Sequence, residues 1–204
     1  MFSPKLLESR HSKFSGDINV FSDFGYKYIS TGQLTQSGGL VKDVWEPVLK
    51  KIGQKNKSWL ILGLAGGTLA GMIAKKYQPN HLVGVEIDPI MVDLGKKYLK
   101  LADIPNLEII IKDAQKYIET TKGRFDYIFV DMYFGDKLPQ FIYSPKFLKK
   151  LRILGHTVIF NHLFYDDKKV KNANKLVTSL KSIFPKINLL RKLTNLLIIC
   201  SRED

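Results

Sequence analysis

Four segments of this 204-residue chain place residues capable of chemistry directly behind apolar runs. Gly63-Leu64-Ala65-Gly66-Gly67-Thr68 follows Trp59 to Leu62. Glycines there let a ligand approach the backbone, and a helix opening behind them offers free N–H groups. A tight strand-to-helix turn accounts for the same glycines equally well. Glu86 ends the run Leu82 to Val85, where an acid can accept from the two hydroxyls of a ribose. Asp113 follows Leu107 to Lys112 and can accept from an exocyclic amine such as adenine N6, or cap the helix behind it. Asp131 follows Tyr127 to Val130 and opens an aromatic loop, Met132 to Pro139, a suitable place for a general base. None of these segments is specific alone; the set and its order are. His11, His81, His156 and His162 fall in no metal-ligand spacing, and His162, just behind Thr157 to Phe160, reads as a loop residue in preference to an acceptor contact.

These residues need strands to bring them together. Short all-apolar runs predict strands covered on both faces at Trp59 to Leu62, His81 to Glu86, Leu107 to Lys112, Phe125 to Val130 and Thr157 to Phe160. Helical spacing predicts helices at Leu40 to Ile52, Gly66 to Tyr77, Asp88 to Leu101, Ala114 to Thr121, Ser144 to Leu154 and Asp166 to Phe184. Asp88-Pro89 and Ser144-Pro145 are helix starts, because Asp and Ser accept from orphan N–H groups and Pro has none to waste. Ile187 to Leu190 and Asn195 to Cys200 are joined too tightly for a crossover, so they run antiparallel. The expected fold is α/β: a seven-stranded, mostly parallel sheet with an antiparallel last strand. Ligands in such sheets bind at the carboxyl ends of the strands. Residues 1–39 differ, with a β-hairpin expected from Asp17 to Ser22 and Tyr26 to Ser30. The expected division is residues 1–39 as a reduced β-hairpin region and 40–204 as the catalytic domain.

Composition sets the class. Hydrophobic residues are 45% and charged residues 25%, which excludes a disordered chain or a disulfide scaffold. Cys200 is the single cysteine, and no stretch resembles a signal peptide or a membrane span, so a soluble cytoplasmic protein is expected. The net charge of +13 comes largely from lysines spread over helix ends and outer faces. Solvated helix faces are favoured over a nucleic-acid surface, since base and phosphate readers lean on arginine.

Taken together, Leu62-Gly63-Leu64-Ala65-Gly66-Gly67-Thr68-Leu69, Val85-Glu86-Ile87-Asp88-Pro89, Lys112-Asp113-Ala114 and Phe125 to Asp131 resemble class I S-adenosylmethionine-dependent transferases with a Rossmann-like fold. Within these they are similar to the spermidine synthase group. The resemblance implies that Gly63, Leu64, Ala65, Gly66 and Gly67 line the sulfonium end of the donor. It also implies that Glu86, with Ile87, meets the ribose, that Asp113, with Ala114, meets the adenine, and that Asp131 is the catalytic carboxylate. Gln36, Trp45, Tyr133, Phe134 and Asp136 are the candidate substrate residues. Three departures stand out. Gly66 occupies the place of an Asp that favours decarboxylated S-adenosylmethionine. Phe134 occupies the place of a second Asp that binds the far amine of putrescine, and Trp45 replaces a Tyr.

These departures favour methyl transfer from S-adenosylmethionine to a small-molecule acceptor. Aminopropyl transfer from decarboxylated S-adenosylmethionine is the alternative, and a non-catalytic or RNA-associated protein of this fold is a third. No metal is expected. The group commonly dimerises, so the resemblance implies a homodimer.

Overall fold

The computed structural model describes residues 3–202. Two sheets organise them. The first contains β1 (Lys5–Ser12), β2 (Gly16–Asp23), β3 (Tyr26–Thr31) and β4 (Leu34–Gly38), antiparallel and in chain order. The expected hairpin is its inner pair, with Asp23 facing Tyr26 across Phe24-Gly25. Both turn residues have positive φ, 44° and 82°, which suits the twist of a two-residue hairpin. The flanking strands escaped the sequence reading because their alternation is broken. A bulge interrupts β1 between Leu6 and Glu8, and another lies between Ile29 and Ser30 in the β3–β4 pairing.

The second sheet contains β5 (Ser58–Leu62), β6 (His81–Glu86), β7 (Leu107–Ile111), β8 (Phe125–Val130), β9 (Gly155–Leu163), β10 (Lys186–Lys192) and β11 (Asn195–Ser201). Its order is β10-β11-β9-β8-β5-β6-β7. Strands β5 to β9 are mutually parallel, and β11 runs antiparallel to β9 and β10. This is the expected seven-stranded Rossmann-like sheet. The chain winds from β5 through β6 to β7, then returns to β8 on the other side of β5. That reversal opens a crevice at the carboxyl ends of β5 and β8.

Six helices flank the sheets: α1 (Val41–Ile52), α2 (Thr68–Tyr77), α3 (Pro89–Leu99), α4 (Ala114–Thr120), α5 (Pro145–Leu154) and α6 (Asp167–Lys181). The period of two along β5 and β8 sends alternate side chains to opposite faces. Leu60, Leu62, Ile128 and Val130 pack against Ile118 of α4, Phe147 of α5 and Leu176 of α6. Trp59, Ile61, Tyr127 and Phe129 pack against Val48 of α1 and Ile73 of α2. Each such buried side chain contributes roughly 1.5–3 kcal/mol. A third cluster joins the two sheets, with Ile18, Val20 and Ile29 against Met91 and Leu94 of α3.

Two of the boundaries that differ from expectation bear on the site. Helix α2 begins at Thr68, because Gly67 adopts the left-handed region (φ 87°) ahead of it. Strand β9 runs on to Leu163, so His162 is a buried strand residue. Its ring nitrogens meet the Tyr143 hydroxyl and the Leu163 carbonyl. Among the described residues no helix is long and apolar enough to cross a membrane.

Candidate functional site

The ends of β5, β6, β7 and β8 open on one cleft. Gly63 and Ala65 line it behind β5, Glu86 and Ile87 at the end of β6, Asp113 and Ala114 behind β7, and Asp131 and Tyr133 behind β8. Three carboxylates from three strand ends therefore line a single crevice. Ser15 of the β1–β2 turn also lines it, held by a 2.6 Å bond from its hydroxyl to Asp88 Oδ2.

Each carboxylate has a distinct setting. Glu86 Oε2 accepts from the Ala65 N–H (2.8 Å), and Oε1 accepts from the N–H groups of Ile87 and Asp88 (2.9 and 3.0 Å). Burial raises its pKa against the pull of these three donors. An ionised carboxylate has about four acceptor positions, so one remains for a ligand hydroxyl. Asp113 Oδ1 caps α4 by accepting from the Lys116 N–H at 2.9 Å, which leaves Oδ2 for the cleft. The cap and the adenine role are thus compatible.

Asp131 stands where two clefts meet. Its Oδ1 accepts from Asn161 Nδ2 at 2.8 Å, and burial pushes its pKa up to about 6. Asn161 Oδ1 accepts from Asn195 Nδ2 at 2.8 Å, and Asn195 Oδ1 from the Thr194 hydroxyl at 3.2 Å. This chain of neutral donors leads from the surface to the acid. Trp45 is fully buried, and its indole N–H has no hydrogen-bond partner, yet it lies near enough to Asp131 to favour the charged form. The second cleft is lined by Trp45, Asn161 and Asn195, while Gln36, Asp131 and Tyr133 line both. The sequence reading missed Asn161 and Asn195. The signal for Asn161 was present: it directly follows the run Thr157 to Phe160, at a strand end.

Several expected residues serve other purposes. Leu64, Gly66 and Gly67 do not line either cleft. The Gly66 N–H donates to Ser37 Oγ at 2.8 Å, and the Gly38 N–H donates to Thr68 Oγ1 at 2.6 Å. Strand β4 thus sits against the start of α2, whose N-cap Gly67 provides no side-chain cap for the first N–H groups of the helix. A Cβ on Gly66 would stand 2.8–2.9 Å from Ile29 Cδ1, Leu99 Cδ1 and Ser37 Cβ, so a side chain there would have to displace them. Gly67 faces Leu101, and Leu64 fills the space beside Gly84. Gly63 must also be glycine, because β5 and β8 converge: a Cβ would come 2.2 Å from the Asp131 carbonyl oxygen.

The Tyr133 hydroxyl donates to the Asn161 carbonyl (2.8 Å) and accepts from the Leu163 N–H (3.0 Å), so only its ring faces the clefts. Phe134, 46% exposed, lines the first cleft and not the second. Asp136 lies in neither cleft and pairs with Lys169 of α6. Gln36 faces both clefts and donates from Nε2 to Thr31 Oγ1 at 2.8 Å. Among the described residues no group of three or more His, Cys, Asp or Glu could hold a metal ion.

Residues 46–198 match the spermine/spermidine synthase domain. The chain belongs to the spermine/spermidine synthase family. A polyamine aminopropyltransferase of Sulfurisphaera tokodaii is 26% identical to it over 149 residues, covering 70% of this chain and 49% of the relative. An eEF1A lysine and N-terminal methyltransferase homolog of Drosophila pseudoobscura pseudoobscura is 25% identical over 142 residues, covering 64% of this chain and 21% of that protein. The match thus spans about half of the first relative and a fifth of the second. A probable spermidine synthase of Corynebacterium glutamicum superposes with a TM-score of 0.78 at 15% identity, over 98% of this chain and 81% of that one. This last likeness establishes the family fold, with the Rossmann-like sheet and a small β-sheet ahead of it.

Proposed function

We propose that this chain is a spermidine-synthase-type transferase, with an adenosyl sulfonium donor in the first cleft, an amine acceptor in the second, and Asp131 between them. The observation that carries this reading is that Asp131 lines both clefts, while Glu86 and Asp113 line only the first. The residues present fit an adenosyl group. Glu86 retains an acceptor position for the ribose, Asp113 Oδ2 is free for the adenine amine, and Ile87 and Ala114 give apolar walls.

The donor, when bound, supplies an already activated carbon. The protein then has to orient the two partners and exclude water. The acceptor nitrogen must lose a proton to attack. Asp131, ionised above a pKa of about 6, holds the ammonium and takes that proton. Bound in the first cleft, the donor would supply the carbon to that nitrogen and its sulfur would be the leaving group. Asn161 fixes the carboxylate, and the Trp45 indole favours its charged form. In this reading residues 40–204 are the catalytic domain and residues 1–39 the reduced β-region, whose strands β2 and β3 pack on α3.

The comparisons favour aminopropyl transfer over the methyl transfer expected from the sequence, because relatives named as polyamine aminopropyltransferases include the first of those described. One observation supports methyl transfer as a second reading. Gly66 carries no acid that would repel the carboxylate of ordinary S-adenosylmethionine, and a side chain there would press on Ile29, Leu99 and Ser37. Calorimetric affinities decide between them. Aminopropyl transfer requires tighter binding of decarboxylated S-adenosylmethionine; equal or tighter binding of the ordinary donor selects methyl transfer.

A further inference from the structure

The second cleft provides one anionic group. Among the described residues Asp131 is the single acidic one lining it, and the remaining polar side chains there, Thr35, Gln36, Tyr133, Asn161, Thr194 and Asn195, are neutral. The amide oxygens of Asn161 and Asn195 already accept from Asn195 and Thr194. The other carboxylates nearby do not reach this cleft: Glu86 and Asp113 line only the first, and Asp136 is paired with Lys169. The rest of the wall is apolar. It runs from Leu40 and Leu193, 65% and 51% exposed, past Val44 to Trp45.

We infer that the acceptor is a primary amine with a single ammonium at the end of an apolar arm, and that the site discriminates against diamines. The inference rests on the transferase reading above, which takes Asp131 as the group facing the acceptor nitrogen. Asn161 Nδ2 takes Asp131 Oδ1, which leaves Oδ2 for one ammonium. The apolar wall suits an alkyl stem. The second ammonium of a short diamine would lie against Val44 and the leucines with no anion to pair it, and leaving a charge unpaired in such a place is strongly unfavourable. The chain's net charge of +13 adds long-range repulsion that grows with the charge of the amine. A free alkylamine and a lysine side chain share the required chemistry.

The test is calorimetric titration of the full chain at pH 8 with n-butylamine, Nα-acetyl-lysine amide and 1,4-diaminobutane, each with and without S-adenosylhomocysteine. Butylamine is expected to bind at least tenfold more tightly than diaminobutane, and Asp131→Asn to abolish the binding. Leu40→Asp, which adds an acid at the mouth, should strengthen diaminobutane binding severalfold. Acetyl-lysine amide binding as well as butylamine supports a lysine side chain as the acceptor; weaker binding supports a free alkylamine. Equal or tighter binding of diaminobutane by the unaltered chain, or amine binding that survives Asp131→Asn, overturns the inference. So does the absence of amine binding in a chain that binds the nucleoside. If the amine preference holds while no nucleoside binds, the preference stands and the transferase reading fails.

Discussion

Asp131 carries opposing demands, and its environment shows how they are met. Burial raises its pKa from 3.8 to about 6, so ionising it in the folded chain costs stability. The cost is absent below the unfolded value, grows as pH rises from about 4 to about 6, and is complete above that. Asp131→Asn keeps an oxygen for Asn161 Nδ2 and removes the charge. The variant should be more stable than the parent at pH 8, by on the order of 1–3 kcal/mol, with the gap closing near pH 4. Thermal melts at both pH values check this. Activity of the parent should fall as pH drops through about 6, because a protonated Asp131 neither holds an ammonium nor accepts a proton. Glu86→Ala would leave the N–H groups of Ala65, Ile87 and Asp88 without their acceptor. Each unsatisfied group costs about 1–3 kcal/mol where water cannot replace the bond. A lowered melting temperature together with at least tenfold weaker nucleoside binding is expected.

At the scale of elements, the docking of β4 onto the start of α2 shapes the site. Gly66→Asp forces a Cβ into Ile29, Leu99 and Ser37, and should lower stability by about 1–3 kcal/mol, read from denaturant melts. A variant as stable as the parent would show that the β4 contact gives way easily. Strands β5, β6 and β8 were legible in the sequence because helices or strands cover both their faces, leaving apolar runs ahead of Gly63, Glu86 and Asp131. The first sheet was only half legible. Bulges break the alternation of β1 and β4, and Ser37, Thr68 and Ser15 act through long-range hydrogen bonds that local pattern does not encode. The same limit hid Asn195, whose role depends on the pairing of β11 with β9. Asp136 misled for the converse reason: nearness in sequence to Asp131 suggested a shared site, but the turn between Phe134 and Lys137 sends it to α6.

Over the whole molecule, the sheet reversal between β5 and β8 brings the carboxylates together, while the net charge opposes arrival of cations. Screening weakens that repulsion, since the Debye length shrinks from about 30 Å at 0.01 M salt to about 8 Å at 0.15 M. The kcat/KM for an amine acceptor should therefore rise over this range, more steeply for acceptors of higher charge. The most direct test of the two-cleft arrangement compares Asp131→Asn with the parent for S-adenosylhomocysteine affinity and for single-turnover alkyl transfer. The account predicts affinity within threefold of the parent and a transfer rate lower by about 10² or more. Loss of nucleoside affinity with the substitution, or transfer at the parental rate, would contradict it.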